Sequence, residues 1–228
     1  MNKQTSDNTP AISKETLALI RQSAEGGNAQ AQYHLGMMYA NADSVELDYQ
    51  QASQWLEKAA KAGLAEAQQA LGWLYANGYG VQQDGKQSAH WYMQAAEQGD
   101  AKSQYLVASM YRVGSNDLPI DHAQMLRWYQ AAAEQQFPPA LHMMGRMLAN
   151  GKYVAKDLTG AFQWLSLAVL SGSEAATETL EEVSKEMPPE QLSEAKQIFR
   201  QALEAQGIDV GEVFGKDQEQ ADNIGHTF

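Results

Sequence analysis

Apolar residues along the chain recur on two periods. Within short stretches they fall three or four positions apart, as in Leu17, Ile20 and Ala24, and again in Ala31, Leu35, Met38 and Tyr39. Each such stretch has one apolar face and reads as an amphipathic helix. Over a longer range the pattern itself returns about every 36 residues. Trp55, Trp91, Trp128 and Trp164 stand 36, 37 and 36 residues apart, and one step back from Trp55 lands on Leu19. Asp48, Asp84, Asp121 and Asp157 precede the tryptophans by seven residues. Gly27, Gly63, Gly99 and Gly172 close the units, with Gln136 as the exception, and the motif Leu35-Gly36-x-x-Tyr39 returns as Leu71-Gly72-x-x-Tyr75, Val107-Ala108-x-x-Tyr111 and Met144-Gly145-x-x-Leu148. A unit recurring at fixed spacing builds a stacked array, in which each repeat buries its apolar face only against its neighbours.

The spacing predicts two helices per unit. In the first, helix A covers about 29–40, a connection 41–47, and helix B about 49–62. Asp48 and its equivalents stand where an N-cap oxygen would accept orphan amide protons of helix B, worth about 1 kcal/mol each. Gly78, Gly114 and Gly151 are placed to end A helices. Gly36, Gly72 and Gly145 lie within helices, where each costs about 1 kcal/mol relative to alanine, so a close approach of the neighbouring helix must offset them. The predicted organisation is a flexible lead over 1–12, then a helical repeat domain over 13–205. That domain holds a capping helix at 14–26 and units at 28–63, 64–99, 100–136, 137–172 and 173–205. The last unit has lost Leu-Gly-x-x-Tyr; its glutamates and Pro188-Pro189 read as a polar terminal cap. An acidic tail over 206–228 carries Phe214 and Phe228 among polar residues, and reads either as disordered chain or as a segment that folds back into a groove or docks on a partner.

The string DxxxAxxWxxxAAxxGxAxAQxxLGxxYxxGxGV, closest to complete over 48–84, resembles the Sel-one-like repeat, a relative of the tetratricopeptide repeat. The likeness covers roughly 14–205. It implies an all-α, right-handed α-solenoid of stacked helix pairs, and a binding architecture whose A helices line a concave surface. It also implies which columns of the A helix face that groove: two before, one before, two after and five after the leucine. These give Tyr33, His34, Met37 and Ala40; Gln69, Ala70, Trp73 and Ala76; Tyr105, Leu106, Ser109 and Arg112; His142, Met143, Arg146 and Ala149. Tyr33, His34, Met37, Gln69, Trp73, Tyr105, Ser109, Arg112, His142 and Arg146 are the candidate protein-binding residues. Trp, Tyr and Arg dominate binding hot spots, although Trp73 and Tyr105 could instead pack between adjacent A helices. Arg112 and Arg146 are candidates to grip a peptide carboxylate.

A formal net charge of −12 argues against nucleic-acid and anionic-membrane partners, since like charges would meet. A neutral to basic protein or peptide is the expected partner, with a monomer favoured. No cysteine is present, which removes disulfides and thiol chemistry. Some cysteine-rich secreted relatives have been linked to β-lactam hydrolysis; they staple each unit with a disulfide that this chain lacks. His34 with Met37 and Met38, and His142 with Met143 and Met144, are the nearest approach to soft-metal clusters, and methionines on a helix face read as packing. No nucleophile elbow, phosphate loop or HExxH occurs, so no catalytic residue, cofactor or metal is assigned. The absence of a leader or an apolar run of membrane length places the chain in the cytoplasm by expectation. The function expected is a non-enzymatic interaction module, an adaptor or scaffold, or alternatively a dedicated inhibitor or immunity protein that sequesters a toxin or secreted enzyme.

Overall fold

Because every unit repeats the same columns, each builds the same local joints in the computed structural model. The structure describes residues 12–116, 118–205 and 207–208; of the expected lead and tail, 1–11, 206 and 209–228 lie outside these. Eleven helices and no strand occur among the described residues: α1(Lys14–Glu25), α2(Ala29–Asn41), α3(Tyr49–Lys61), α4(Ala65–Asn77), α5(Gly85–Glu97), α6(Ala101–Val113), α7(His122–Glu134), α8(Pro138–Asn150), α9(Leu158–Leu170), α10(Glu174–Glu186) and α11(Pro189–Ala205). The helices pack in tandem on their neighbours in sequence, the all-α architecture of paired helical repeats. By contacts the chain divides into two compact units, Met1–Ala131 and Ala132–Phe228.

The aspartate column caps the B helices as expected. Asp48 accepts from the amides of Gln50 and Gln51, both at 2.9 Å, and Asp84, Asp121 and Asp157 repeat the bond at the starts of α5, α7 and α9. The amide of each aspartate in turn donates to a carbonyl of the preceding A helix: Asp48 to Tyr39 at 3.1 Å, Asp84 to Tyr75, Asp121 to Tyr111 and Asp157 to Leu148 at 3.0 Å. One residue thus ties the connection to A and starts B. Gly78, Gly114 and Gly151 are left-handed C-caps of α4, α6 and α8, a role Ala42 takes for α2 at φ 57°. Gln136, in the place of a glycine, also has positive φ, at 60°.

The mid-helix glycines mark where B crosses A. A Cβ on Gly36 would lie 2.7 Å from Leu56 Cγ, one on Gly72 3.0 Å from the Tyr92 ring, and one on Gly145 2.5 Å from Leu165 Cγ. The core column is therefore Leu56, Tyr92, Tyr129 and Leu165, all at most 3% exposed. The tryptophans beside it are less enclosed than strict periodicity suggests: Trp91 and Trp128 are buried, but Trp55 and Trp164 only half-buried. Lys58 sits over the Trp55 ring at 3.8 Å. A further joint links repeats in the first unit, where Gln32, Gln68 and Gln104 donate from Nε2 to the carbonyls of Ala24, Ala60 and Ala96 at 3.0, 3.1 and 3.2 Å.

Candidate functional site

In the first unit, α2 and α4 bring Met37, Gln69 and Trp73 to one pocket of about 250 Å³, closed by Tyr49 of α3, Leu74 of α4 and Lys102 of α6. Trp73 remains 40% exposed and Tyr79 39%, in a chain whose other repeat aromatics are largely covered. The two rings stand 5.0 Å apart, and Tyr79 stacks on Tyr49 at 4.8 Å with 15° between planes. Three aromatic side chains from three elements thus form a continuous wall.

Backbone geometry holds that wall. Gly78 turns the chain out of α4 at φ +72°, and Gly80 turns it again at φ +68°. A Cβ at Gly80 would run into the Tyr49 carbonyl, so only glycine lets the loop lie against the first turn of α3. Ser53 Oγ donates to the Gln50 carbonyl at 2.9 Å and shares that proton with the Gly80 carbonyl at 3.3 Å, and Tyr79 between the two glycines is laid on Tyr49. Asn77 and Gln83 tie the end of α4 by donating to the carbonyls of Trp73 and Ala76, both at 2.8 Å.

A pocket of this size and lining has room for one side chain. The volume lies below the range of small-molecule sites, about 300–1,000 Å³. Stacked and tilted aromatic rings offer apolar area at low entropic cost, and the exposed Lys102 adds a cation to the lining.

The remaining expected residues divide. Tyr33 packs on the buried cluster around Leu56 and Leu71, with its hydroxyl pKa raised by burial first and then by Glu66 and Asp100. His34 is exposed; it accepts from Gln30 Nε2 at 3.1 Å, and its ring lies 5.7 Å from that of Tyr33. Tyr105 and Ser109 turn toward α7: the Tyr105 ring is 5.4 Å from Tyr129, and Ser109 Oγ is 2.9 Å from the Tyr129 hydroxyl. Arg112 is exposed in the last turn of α6. In the second unit, His142 Nε2 is 3.1 Å from Thr179 Oγ1 across α8 and α10, and burial, then Arg146, lowers its pKa. Arg146 itself is exposed. The two arginines belong to different units. Among the described residues no group of three or more His, Asp or Glu could hold a metal ion, and no helix is long and apolar enough to cross a membrane.

Tyr49, Tyr79 and Lys102 escaped the column argument. The signal for the first two was the run Gly78-Tyr79-Gly80, because the second glycine has no counterpart in the equivalent positions Ser44, Asn116 and Tyr153, all of which share its positive φ.

A sequence model of the Sel1 repeat matches residues 29–64, 65–100, 101–137 and 138–173. Among solved structures, c5321, a protective antigen present in uropathogenic Escherichia coli strains displaying an SLR fold, is 34% identical with a TM-score of 0.70, over 75% of this chain and 36% of that one. A Sel1 repeat protein from Oxalobacter formigenes is 28% identical with a TM-score of 0.69, over 75% of this chain and 70% of that one. The chain thus spans about a third of the length of the former. A comparison with curated proteins finds no match.

Proposed function

Since the chain belongs to the Sel1 repeat family, a family of protein-interaction scaffolds, we propose that it binds a polypeptide partner at the A-helix face of its first unit, with the Trp73–Tyr79–Tyr49 wall as the anchor. The observation that carries this reading is the exposure of Trp73 and Tyr79 beside a pocket already framed by Met37, Gln69 and Lys102. An aromatic pair left 40% and 39% open is what a hot spot requires before its partner arrives. The occupant is an apolar side chain of a peptide or folded protein whose surroundings are neutral to basic, since the chain carries −12 overall and complementary charge speeds encounter. Tyr33 and His34 extend the face along α2, and Arg112 is a secondary contact on the same unit.

The test is affinity capture from native lysate, then titration of the captured partner against wild type, Trp73→Ala and Tyr79→Ala. Each variant should lose at least about 2 kcal/mol, roughly thirtyfold in Kd, with unchanged far-UV circular dichroism. Equal affinity for all three proteins sinks the proposal. The same titration separates the scaffold from a dedicated inhibitor: one target held at nanomolar Kd with its activity abolished would favour the latter.

A further inference from the structure

The last joint of the second unit keeps the frame of the repeat and loses its filling. Ala176, Leu180 and Val183 of α10 stand in the columns of Ala67, Leu71 and Leu74, and none of the three is exposed, so α10 is a helix A in register. Its other columns are cut down. Ser184 stands where Tyr39, Tyr75, Tyr111 and Leu148 stand, and Thr177 where Gln32, Gln68 and Gln104 reach a carbonyl of the preceding helix B. Ser184 Oγ turns onto its own helix, donating to the Leu180 carbonyl at 2.7 Å, and leaves the space of the tyrosine unfilled. Glu181 takes the column of Gly36, Gly72 and Gly145, where even a Cβ would come within 2.5 to 3.0 Å of the crossing side chain, so no helix can close on α10 as B closes on A elsewhere. Both α10 and α11 accordingly lean on α9 rather than chiefly on each other.

Among α9, α10 and α11 this leaves a groove of about 480 Å³, inside the range of small-molecule sites, about 300–1,000 Å³. Phe162 and Phe199, edge to face at 6.5 Å, line it with Val169, Leu170 and Leu180. The departures on α9 face the same space. Leu170 is 42% exposed in a column that elsewhere holds Lys61, Glu97 and Glu134, and Val169 replaces Ala60, Ala96 and Ala133. The end of a solenoid needs a polar face, so an apolar residue in a charged column, beside missing filling, is the reverse of capping. The mouth differs in sign from the chain. Lys185 and Lys196 are exposed and line the groove; Lys185 stands 3.8 Å from Glu181, while the positions three and four from Lys196 on α11 are Leu192, Ser193, Phe199 and Arg200, so no acid pairs with it along the helix. Two cations thus face one carboxylate, in a chain of net charge −12.

We propose that this groove binds a free medium-chain alkyl carboxylate, a fatty acid, with its tail along Phe162, Leu170, Leu180 and Phe199 and its head at Lys196. The lining selects the tail. A peptide strand would bring amides and carbonyls that apolar walls leave unpaired, at a cost for each, whereas an alkyl chain brings none. The mouth selects the head, because one unpaired lysine among exposed side chains complements a single negative charge. The floor sets the length: Phe162 to Leu170 along α9 is about 12 Å, the reach of an extended chain of roughly ten carbons.

The test is titration of the isotope-labelled full-length protein with sodium decanoate, followed by amide nuclear magnetic resonance. Shifts should saturate and concentrate at Val169, Leu170, Leu180, Ser184 and Lys196, and Kd should tighten about fourfold per methylene from octanoate to dodecanoate. Decanol carries the tail without the charge, so Lys196→Gln should weaken decanoate about two- to fivefold and leave decanol unchanged. Ser184→Tyr returns the repeat's own side chain to the space; it should abolish binding of both ligands, with a melting temperature no lower than that of the wild type. The Lys196 comparison stands whether or not that variant folds. Affinity independent of chain length, shifts scattered over the surface, or equal loss of decanol and decanoate in Lys196→Gln overturns the proposal. So do groove signals of the ligand-free protein that move on dilution, which would assign the face to a second copy. Trp73→Ala should bind decanoate as the wild type does, so the outcome is independent of the Trp73 surface.

Discussion

Replacing Gly145 and Gly72 separately by alanine sets two effects against each other at equivalent places. Either substitution removes the penalty of a mid-helix glycine, a gain of about 1 kcal/mol. At Gly145 the new Cβ would lie 2.5 Å from Leu165 Cγ, 2.9 Å from its Cδ2 and 3.3 Å from the Ala161 carbonyl. Leu165 is fully buried, and its Cγ is one bond from Cβ, so relief requires α9 to move off α8. Overpacking of this kind costs about 1–3 kcal/mol; with contact on both a branch carbon and a carbonyl, the upper half of that range applies. Gly145→Ala should therefore destabilise by about 1–2 kcal/mol net, lowering Tm by about 2–8 °C. At Gly72 the neighbours are atoms of the Tyr92 ring at 3.0 to 3.2 Å, and a ring can tilt by a few tenths of an ångström. The third repeat already contains that solution, with Ala108 fully buried one column from Tyr129. Gly72→Ala should accordingly be neutral or stabilising by up to about 1 kcal/mol. Thermal melts followed by circular dichroism, with urea titrations beside them, decide the matter. Equal shifts in the two variants, or a higher Tm for Gly145→Ala, would refute the view that helix-crossing distance fixes the glycine column.

Asp84→Ala removes the acceptor of two amide protons, Lys86 at 2.8 Å and Gln87 at 3.1 Å; it should cost about 1 kcal/mol, read as a lower urea midpoint. Burial and the charge of Asp100 push the Tyr92 hydroxyl from 10.0 up to about 12. The neutral phenol is thus favoured in the fold, and stability present below pH 10 should drain between pH 10 and 12 as the unfolded chain ionises; Tyr92→Phe should lose that part of the alkaline slope in urea titrations across this range. Burial and Arg146 hold His142 below its ordinary 6.5, so its contribution is present above pH 6.5 and falls away as pH drops through the lowered value. Arg146→Gln should move the His142 ring titration upward by nuclear magnetic resonance, and no upward movement would show that the arginine is too solvated to act.

The parts legible in the sequence were those where every repeat uses a position alike. Asp48, Asp84, Asp121 and Asp157 cap four helices because each side chain receives amides from B while its backbone amide donates to A, so the position recurs with a short acceptor side chain. The core column Leu56, Tyr92, Tyr129, Leu165 was harder to see, since the tryptophan beside it is invariant in type yet half-buried in two of four repeats. Type is constrained by what a position touches, and exposure by how much else arrives there. The binding face shows the same limit. Two residues beyond the repeat leucine stand Met37, Trp73, Ser109 and Arg146; Met37 and Trp73 line the pocket, Arg146 is exposed, and Ser109 meets the Tyr129 hydroxyl. Helix periodicity aims all four Cβ atoms alike, but serine is too short to project outward, and Tyr129 offers a hydroxyl where Leu56 and Leu165 offer none. Tyr49 and Tyr79 were beyond any periodic argument, because their stacking depends on one backbone approach, the Gly80 turn against the Tyr49 carbonyl. A loop has no period from which to read its direction, yet a glycine with no counterpart among its equivalents marks where two main chains meet. It follows that Gly80→Ala should uncouple Tyr79 from Tyr49 and weaken partner binding as much as Tyr79→Ala does, while leaving the helix columns, and hence the far-UV circular dichroism, as they are.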